Sequence, residues 1–166
     1  MDYLWSPWRY RYVAQEEPSS GCVFCGKSQD FDDERNRIIF RGRHSFVLLN
    51  IYPYTSGHVM VAPYAHIGSL SEADDGTWTE IAHLTRRAEQ ALQIAYRPEG
   101  VNLGMNLGKS AGAGIANHMH MHVLPRWHAD SNFMTVIGET RVIPENLADT
   151  YKKLKPLFLP SPPSNG

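Results

Sequence analysis

A single long segment of helical period, set between two groups of strand-like runs, limits the architectures open to this chain. From Thr77 onward, Trp78, Ile81, Leu84, Ala88, Ala91, Leu92 and Ala95 recur at three- and four-residue intervals, the spacing that gathers side chains on one face of an α-helix. Thr77 and Glu80 have the spacing of a capping box, and Arg97-Pro98-Glu99-Gly100 ends the pattern, so a helix of about five turns is expected. Before it lie extended runs at residues 37–40, 45–50 and 58–63, the first two joined across Gly42-Arg43 and the third preceded by a Pro- and Gly-containing turn at residues 52–57. After it come runs at 101–106 and at 118–124, the last closed by Pro125. One helix amid strands lacks the regular strand–helix alternation of a doubly wound parallel sheet. The expected class is therefore α+β, an antiparallel sheet of about five strands with one long helix and shorter ones, including a weaker helix over 144–154.

At 166 residues the chain suits one domain that buries roughly two thirds of its unfolded surface. The formal net charge of -1 provides no bulk attraction to nucleic acid or membrane, so any polyanion must be held by local groups. No run approaches the ~18 apolar residues of a membrane span, and the start lacks a basic region followed by an apolar one; the expected location is cytoplasmic. Residues 1–20 form an arm whose first twelve are dense in Trp, Tyr and Arg, suited to packing on the body or on a second subunit. The stretch from Asp30 to Arg35 reads as charged and exposed, and the Pro- and Ser-rich residues 160–166 read as a disordered tail beyond a domain spanning 1–159.

The chemistry concentrates in His118-Met119-His120-Met121-His122. Side chains alternate along a strand, so the three imidazoles share one face at intervals of about 7 Å while Met119, Met121 and Val123 pack beneath. Crowded imidazoles cannot all be protonated, which favours neutral, nucleophilic nitrogens. Such a row suits either of two tasks: ligating a catalytic metal, or attacking phosphorus with one ring while its neighbours set its tautomer and assist the leaving group. The preceding loop, Gly108-Lys109-Ser110-Ala111-Gly112-Ala113-Gly114, can aim backbone N–H groups at phosphate oxygens. It is not a P-loop, because the earlier glycine would fall at Leu103 and a strand, not a helix, follows. Cys22 and Cys25, separated by two residues in a reducing compartment, suit metal binding, a redox pair or free buried thiols.

The run His118-Met119-His120-Met121-His122-Val123-Leu124-Pro125-Arg126 resembles the His-φ-His-φ-His-φ-φ signature of the histidine triad (HIT) superfamily. Phe46-Val47-Leu48-Leu49-Asn50 and Gly57-His58-Val59-Met60-Val61-Ala62-Pro63 resemble its earlier strands, and Cys22-x-x-Cys25 resembles its zinc-bearing branch. The match spans roughly residues 20 to 130. The flanks Leu4-Trp5-Ser6-Pro7-Trp8-Arg9, Gly112 to Ile115 and Pro125-Arg126-Trp127 look like bacterial members related to diadenosine tetraphosphate phosphorylases. Trp127 suits base stacking, a subunit contact or core packing.

The resemblance implies a HIT-like fold with His120 as the nucleophile forming a nucleotidyl-histidine at the α-phosphate. His122 would orient it or assist the leaving group, and His58 would support the triad. It implies Asn50 at the ribose hydroxyls, Asn106 near the transferred phosphate, and Gly112, Ala113 and Gly114 along the phosphates. Many relatives carry Gln where this chain has Gly114, so backbone amides or Ser110 stand in. Relatives complete a structural zinc site with positions mapping to His66 and His118, beside Cys22 and Cys25; no organic cofactor is implied. The expected activity is hydrolysis or phosphorolysis of dinucleoside polyphosphates such as diadenosine tetraphosphate, with inorganic phosphate as an acceptor, by a homodimer extendable to a tetramer. A nucleoside phosphoramidate hydrolase, a non-catalytic nucleotide-binding module and a zinc hydrolase using all three triad histidines remain as alternatives.

Overall fold

The computed structural model describes residues 21–128, 130 and 145–159; the N-terminal arm and the tail of the sequence reading lie outside them. Helix α1 is Val23–Gln29 and α2 the short Asp33–Asn36. Strands β1 (Ile38–Arg41), β2 (Ser45–Leu49) and β3 (Val59–Pro63) follow, then the long helix α3 (Asp75–Tyr96). Strands β4 (Gly100–Met105) and β5 (Met121–Arg126) and helix α4 (Leu147–Leu154) complete the order. Among the described residues the sheet has five strands, ordered β1-β2-β3-β5-β4, and every pairing is antiparallel. None of the described helices is long and apolar enough to cross a membrane.

The two-residue period of the strands sorts their side chains. Register pairs Val47 with Val61 and Val59 with Val123, so these point to one face, where Ile81, Leu84, Ala88, Ala91 and Leu92 of α3 cover them together with Tyr151, Leu154 and Phe158. Each large aliphatic side chain buried there contributes about 1.5–3 kcal/mol. The alternate residues Phe46, Leu48, Met60 and Ala62 point to the opposite face and pack under Phe24 of α1. Leu48 lies opposite Met60 and Met60 opposite His122, which puts the histidine row on that second face.

Several boundaries differ from the sequence reading for identifiable reasons. Helix α3 begins earlier, because Asp74 is its cap and accepts the Thr77 N–H at 2.6 Å. Glu80 is therefore no capping-box partner. Its carboxylate accepts the backbone N–H groups of Arg43, His44 and Ser45 at 2.8, 2.6 and 2.6 Å, tying the β1–β2 turn to the helix. A Cβ on Gly42 would stand 2.8 Å from that carboxylate, so a larger residue there would push it off the three amides. Trp78 leaves the apolar stripe and is 41% exposed. Pro125 lies within β5 rather than ending it, since the pairing with β3 stops at Val123 and that neighbour does not call on the missing N–H.

Two local helices were not legible in the pattern. Asp32 caps α2 by accepting from Arg35 N–H, which folds the charged stretch into one turn with Arg35 paired to Asp30. The Cys22–Cys25 segment starts α1, whose far end is anchored by Arg41: its guanidinium donates to the Ser28 and Asp30 carbonyls, each at 2.6 Å, and meets Asp33 at 2.8 Å. At the other end of the sheet, Gly57 with φ +82 turns the chain against Leu92 and Tyr96, a conformation costly for residues with a Cβ, and so delivers His58 to the start of β3.

Candidate active site and metal centre

Four imidazoles collect on the second face of the sheet: His58, His118, His120 and His122, all buried. His118 and His120 precede β5 proper, yet the alternation expected of a strand persists, with Met119 and Val123 buried against the helix face. The His120 and His122 ring centroids are 4.7 Å apart and those of His58 and His122 5.0 Å.

Backbone groups set the neutral tautomers, because a carbonyl only accepts and an amide N–H only donates. His120 Nδ1 lies 3.0 Å from the His118 carbonyl oxygen, so Nδ1 carries the proton and Nε2 the lone pair. His118 Nε2 lies 2.9 Å from the Pro63 carbonyl oxygen, which leaves its Nδ1 bare. At His58 the Tyr54 N–H donates to Nδ1 at 3.2 Å, and the Asn50 amide nitrogen stands 3.3 Å away. The His58 proton therefore sits on Nε2 and is donated to His122 Nδ1 at 2.9 Å; the His122 proton is thereby placed on Nε2. Burial pushes the His120 pKa below the ordinary imidazole value, against the opposing pull of the His118 carbonyl. The pKa of His118 is likewise lowered, first by burial and less by His66 and His120. Desolvation, more than mutual repulsion, is thus what keeps these two rings neutral.

The bare Nδ1 of His118 faces two sulfurs, Cys22 Sγ at 3.3 Å and Cys25 Sγ at 3.6 Å. His66 Nδ1 is 3.3 Å from Cys25 Sγ, and the four ligand atoms lie within 4.8 Å of one another. A tetrahedral zinc with Zn–S near 2.3 Å and Zn–N near 2.0 Å requires sulfur–nitrogen separations of about 3.5 Å, so the donor set and spacing fit that ion. The junction is made by the Met119 N–H, which donates to the Ile67 carbonyl at 2.7 Å and sets His118 beside His66. Burial, then the neighbouring Cys22, raises the Cys25 thiol pKa; a bound cation reverses that preference. Among the described residues the convergent donor set is this one, not the three triad histidines, whose nitrogens turn to different partners.

The remaining predicted residues fall at different distances from this centre. Asn50 is buried beside His58 and its Oδ1 accepts the Tyr52 N–H at 2.9 Å, so its amide belongs to the His58–His122 chain. Asn106 follows β4 and is half-buried, whereas Ser110 is exposed in a single 3-10 turn, Lys109–Ala111. Beyond Gly112, Ala113 is buried and Gly114 exposed, and Ile115 packs against the Phe24 cluster, bringing the loop to the triad face. Trp127 meets Tyr96 edge-on at 6.4 Å. Two site residues escaped the sequence reading. Phe24 lies 4.8 Å from His120 with the rings tilted at 43°, and its only sequence signal was an aromatic enclosed by the two cysteines. Tyr54 lies 4.8 Å from the His58 ring, in a turn whose composition signals nothing catalytic.

The HIT domain family model matches residues 33–129, which include the triad, His58 and His66. The chain belongs to the HIT domain family. An AP-4-A phosphorylase of Mycobacterium tuberculosis is 38% identical over 91% of this chain and 81% of its own length, and Protein hit of Bacillus subtilis is 28% identical over 71% of this chain and 79% of its own. In three dimensions the HIT fold is shared with a zinc-bound histidine triad family protein from Mycobacterium smegmatis, with TM-score 0.67, 27% identity, and coverage of 84% of this chain and 94% of that one. The five-stranded antiparallel sheet with its covering helix is the common element of this HIT chain and that structure.

Proposed function

We propose that this HIT protein is a nucleotide-processing enzyme that cleaves dinucleoside polyphosphates, diadenosine tetraphosphate among them, through a covalent nucleotidyl group on His120. The observation that carries the reading is the pinned tautomer of a buried ring: Nδ1–H is held by the His118 carbonyl at 3.0 Å, so Nε2 keeps a lone pair. The 38% identical relative described as an AP-4-A phosphorylase supports the substrate class.

The steps follow from the proton positions. His120 Nε2 forms a bond to the α-phosphorus as the bridging P–O bond breaks, and the polyphosphate departs as an anion that needs no proton. The ring becomes a cation whose Nδ1–H remains on the His118 carbonyl, so the charge is met by an acceptor already in place. His122, with its proton on Nε2, hydrogen-bonds the departing oxygen. Inorganic phosphate or water then attacks from the opposite side, the P–N bond breaks and returns its electron pair to Nε2, the proton of an attacking water passes to solvent, and diadenosine tetraphosphate yields ATP with ADP or AMP. Two in-line displacements predict net retention at phosphorus. Cys22, Cys25, His66 and His118 would hold zinc, which when bound supplies a structural tie between α1 and the triad segment and does not touch substrate.

The decisive measurement is mass spectrometry of protein quenched during turnover of diadenosine tetraphosphate, which is expected to find adenylate on the His120 peptide. His120→Ala should abolish turnover and leave nucleotide binding largely intact. Absence of the labelled peptide under burst conditions, or turnover by the variant, sinks the mechanism. Comparing ADP with AMP, with and without inorganic phosphate, separates phosphorolysis from hydrolysis. We also infer a homodimer. Strand β4 pairs on one side with β5 and stands at the sheet edge, and its Asn102, Leu103 and Gly104 are exposed, an edge suited to a second copy.

A further inference from the structure

We propose that Phe24 is a positioning residue that couples the filling of the Cys22–Cys25–His66–His118 group to the orientation of the His120 ring. The coupling itself is a property of the folded chain; only its consequence for turnover rests on the nucleophilic role given to His120.

Phe24 sits inside the four-residue segment bounded by the two cysteines, so whatever holds both sulfurs holds the backbone on either side of it. Its ring is 3% exposed and wedged among Ile38, Phe46, Leu48, Met60 and Ala62. From there it meets two imidazoles at once, with centroids 5.1 Å from His118 at 47° and 4.8 Å from His120 at 43°. The first of these rings belongs to the metal-type group and the second to the reacting row.

The His120 plane needs such a support. Its bond from Nδ1 to the His118 carbonyl restrains rotation of the ring about Cβ–Cγ, but a single hydrogen bond tolerates about 30° of departure from linearity. The edge of His122, at 4.7 Å and 74°, limits that rotation from one side, and the tilted ring of Phe24, at 4.8 Å and 43°, limits it from another. A lone pair that must meet phosphorus in line tolerates a misalignment of only about 10–20°. A merely apolar side chain of similar volume fills the space without presenting a rigid planar ring.

The anchoring of α1 explains why ligand binding at the sulfurs should matter. Arg41 holds the carbonyls at the far end of the helix, Ser28 and Asp30, by bonds that do not involve the cysteines. Emptying the Cys2His2 group therefore loosens the first turn, where Phe24 lies, while the rest of α1 stays attached. Filling it fastens Phe24 against His120.

The test uses the full-length chain carrying isotopically labelled histidine, with imidazole resonances followed by NMR as Zn2+ is added to chelator-treated protein, no substrate being present. One equivalent of Zn2+ should shift His66 and His118 in both wild type and Phe24→Leu. In wild type the His120 ring resonances should move along the same titration and gain nuclear Overhauser contacts to the Phe24 ring; in Phe24→Leu the His120 movement should shrink at least about threefold, and Phe24→Tyr, which keeps the ring, should restore it. In single-turnover assays of the zinc-loaded proteins, adenylyl transfer by Phe24→Leu should slow roughly tenfold or more. The proposal is overturned if wild-type His120 stays still while His66 and His118 respond, or if Phe24→Leu transmits the response undiminished. Should His66 and His118 themselves ignore Zn2+, the metal reading falls and the coupling with it, whereas the nucleotidyl-histidine reading is judged separately by the mass measurement. The wild-type Overhauser contacts decide the matter even if Phe24→Leu does not fold.

Discussion

Replacing His58 by Phe removes one proton donor from the interior while keeping ring and volume. His58 and His122 are both buried, and the His58 Nε2–H bond to His122 Nδ1 is 2.9 Å long. A phenyl ring neither donates to His122 nor accepts from the Tyr54 N–H, now 3.2 Å away, or the Asn50 amide at 3.3 Å. Two or three buried polar groups each lose a partner worth about 1 kcal/mol or more, so a loss of ~2–4 kcal/mol in folding stability is expected. The proposed mechanism adds a separate effect on catalysis: His122 loses the bond that keeps its proton on Nε2, where that mechanism aims it at the leaving oxygen. If ~1–2 kcal/mol of that preference disappears, kcat falls roughly 5- to 30-fold, since 1.36 kcal/mol is tenfold, with KM changing little. Quenched-flow release of product from diadenosine tetraphosphate gives kcat and KM, and a thermal melt reports the fold. His58→Gln, which retains an N–H donor, should recover part of the rate. A folded His58→Phe protein whose kcat lies within about twofold of wild type, while His120→Ala is inactive, would show that the His58–His122 chain has no part in the reaction.

Other consequences are open to simpler measurements. Cys25→Ser should weaken zinc binding on the order of 100-fold or more, judged against losses of 10- to 100-fold for outer partners alone; competition with a chromophoric chelator checks it, and an unchanged affinity rejects the ligand set. Leu103, 55% exposed on the β4 edge, should as Leu103→Arg shift the protein toward monomer in sedimentation, and an unaltered dimer places the interface elsewhere. Leu92, fully buried between α3 and the sheet, should cost ~2–5 kcal/mol as Leu92→Ala in denaturant titrations. Glu145 supplies a pH test: burial raises its pKa, but hydrogen bonds from Lys153, Tyr96 and Thr150 outweigh this and hold it below the ordinary 4.5. The folded state then binds fewer protons than the unfolded one, so the stabilisation is complete above 4.5 and drains away as pH falls through the depressed value. Glu145→Gln should flatten that acid limb of the stability curve, and an identical limb refutes the assignment.

The sequence by itself determined the features that repeat over a few residues. Period two placed β1, β2, β3 and β4 within about a residue of their observed bounds, and period three-to-four found the core stripe of α3. Alternation alone put His118, His120 and His122 on one face, because strand geometry is a local property of the backbone. Where local pattern and long-range contact competed, the contact won. Glu80 had the spacing of a capping box but is drawn to the Arg43 to Ser45 amides, which lie more than thirty residues earlier in the chain. Pro125 read as a strand end, yet continues β5 because its neighbour on one side has already stopped.

Only the tertiary structure decided how the site is wired. Cys22 and His118, 96 residues apart, were linked in the sequence by resemblance and not by any spacing, and the Ile67–Met119 bond that brings the two loops together leaves no trace in composition. Which nitrogen of each histidine bears its proton depends on the carbonyls of Pro63 and His118 and on the Tyr54 amide, backbone groups that recur along the whole chain and that no motif can mark. Phe24 carries no signal of its own in the sequence, and only the fold sets its ring 4.8 Å from His120. Side-chain identity is written in the chain, but proton position and ring orientation are fixed by distant backbone groups, and those meet the site only when the sheet and its flanking loops have closed.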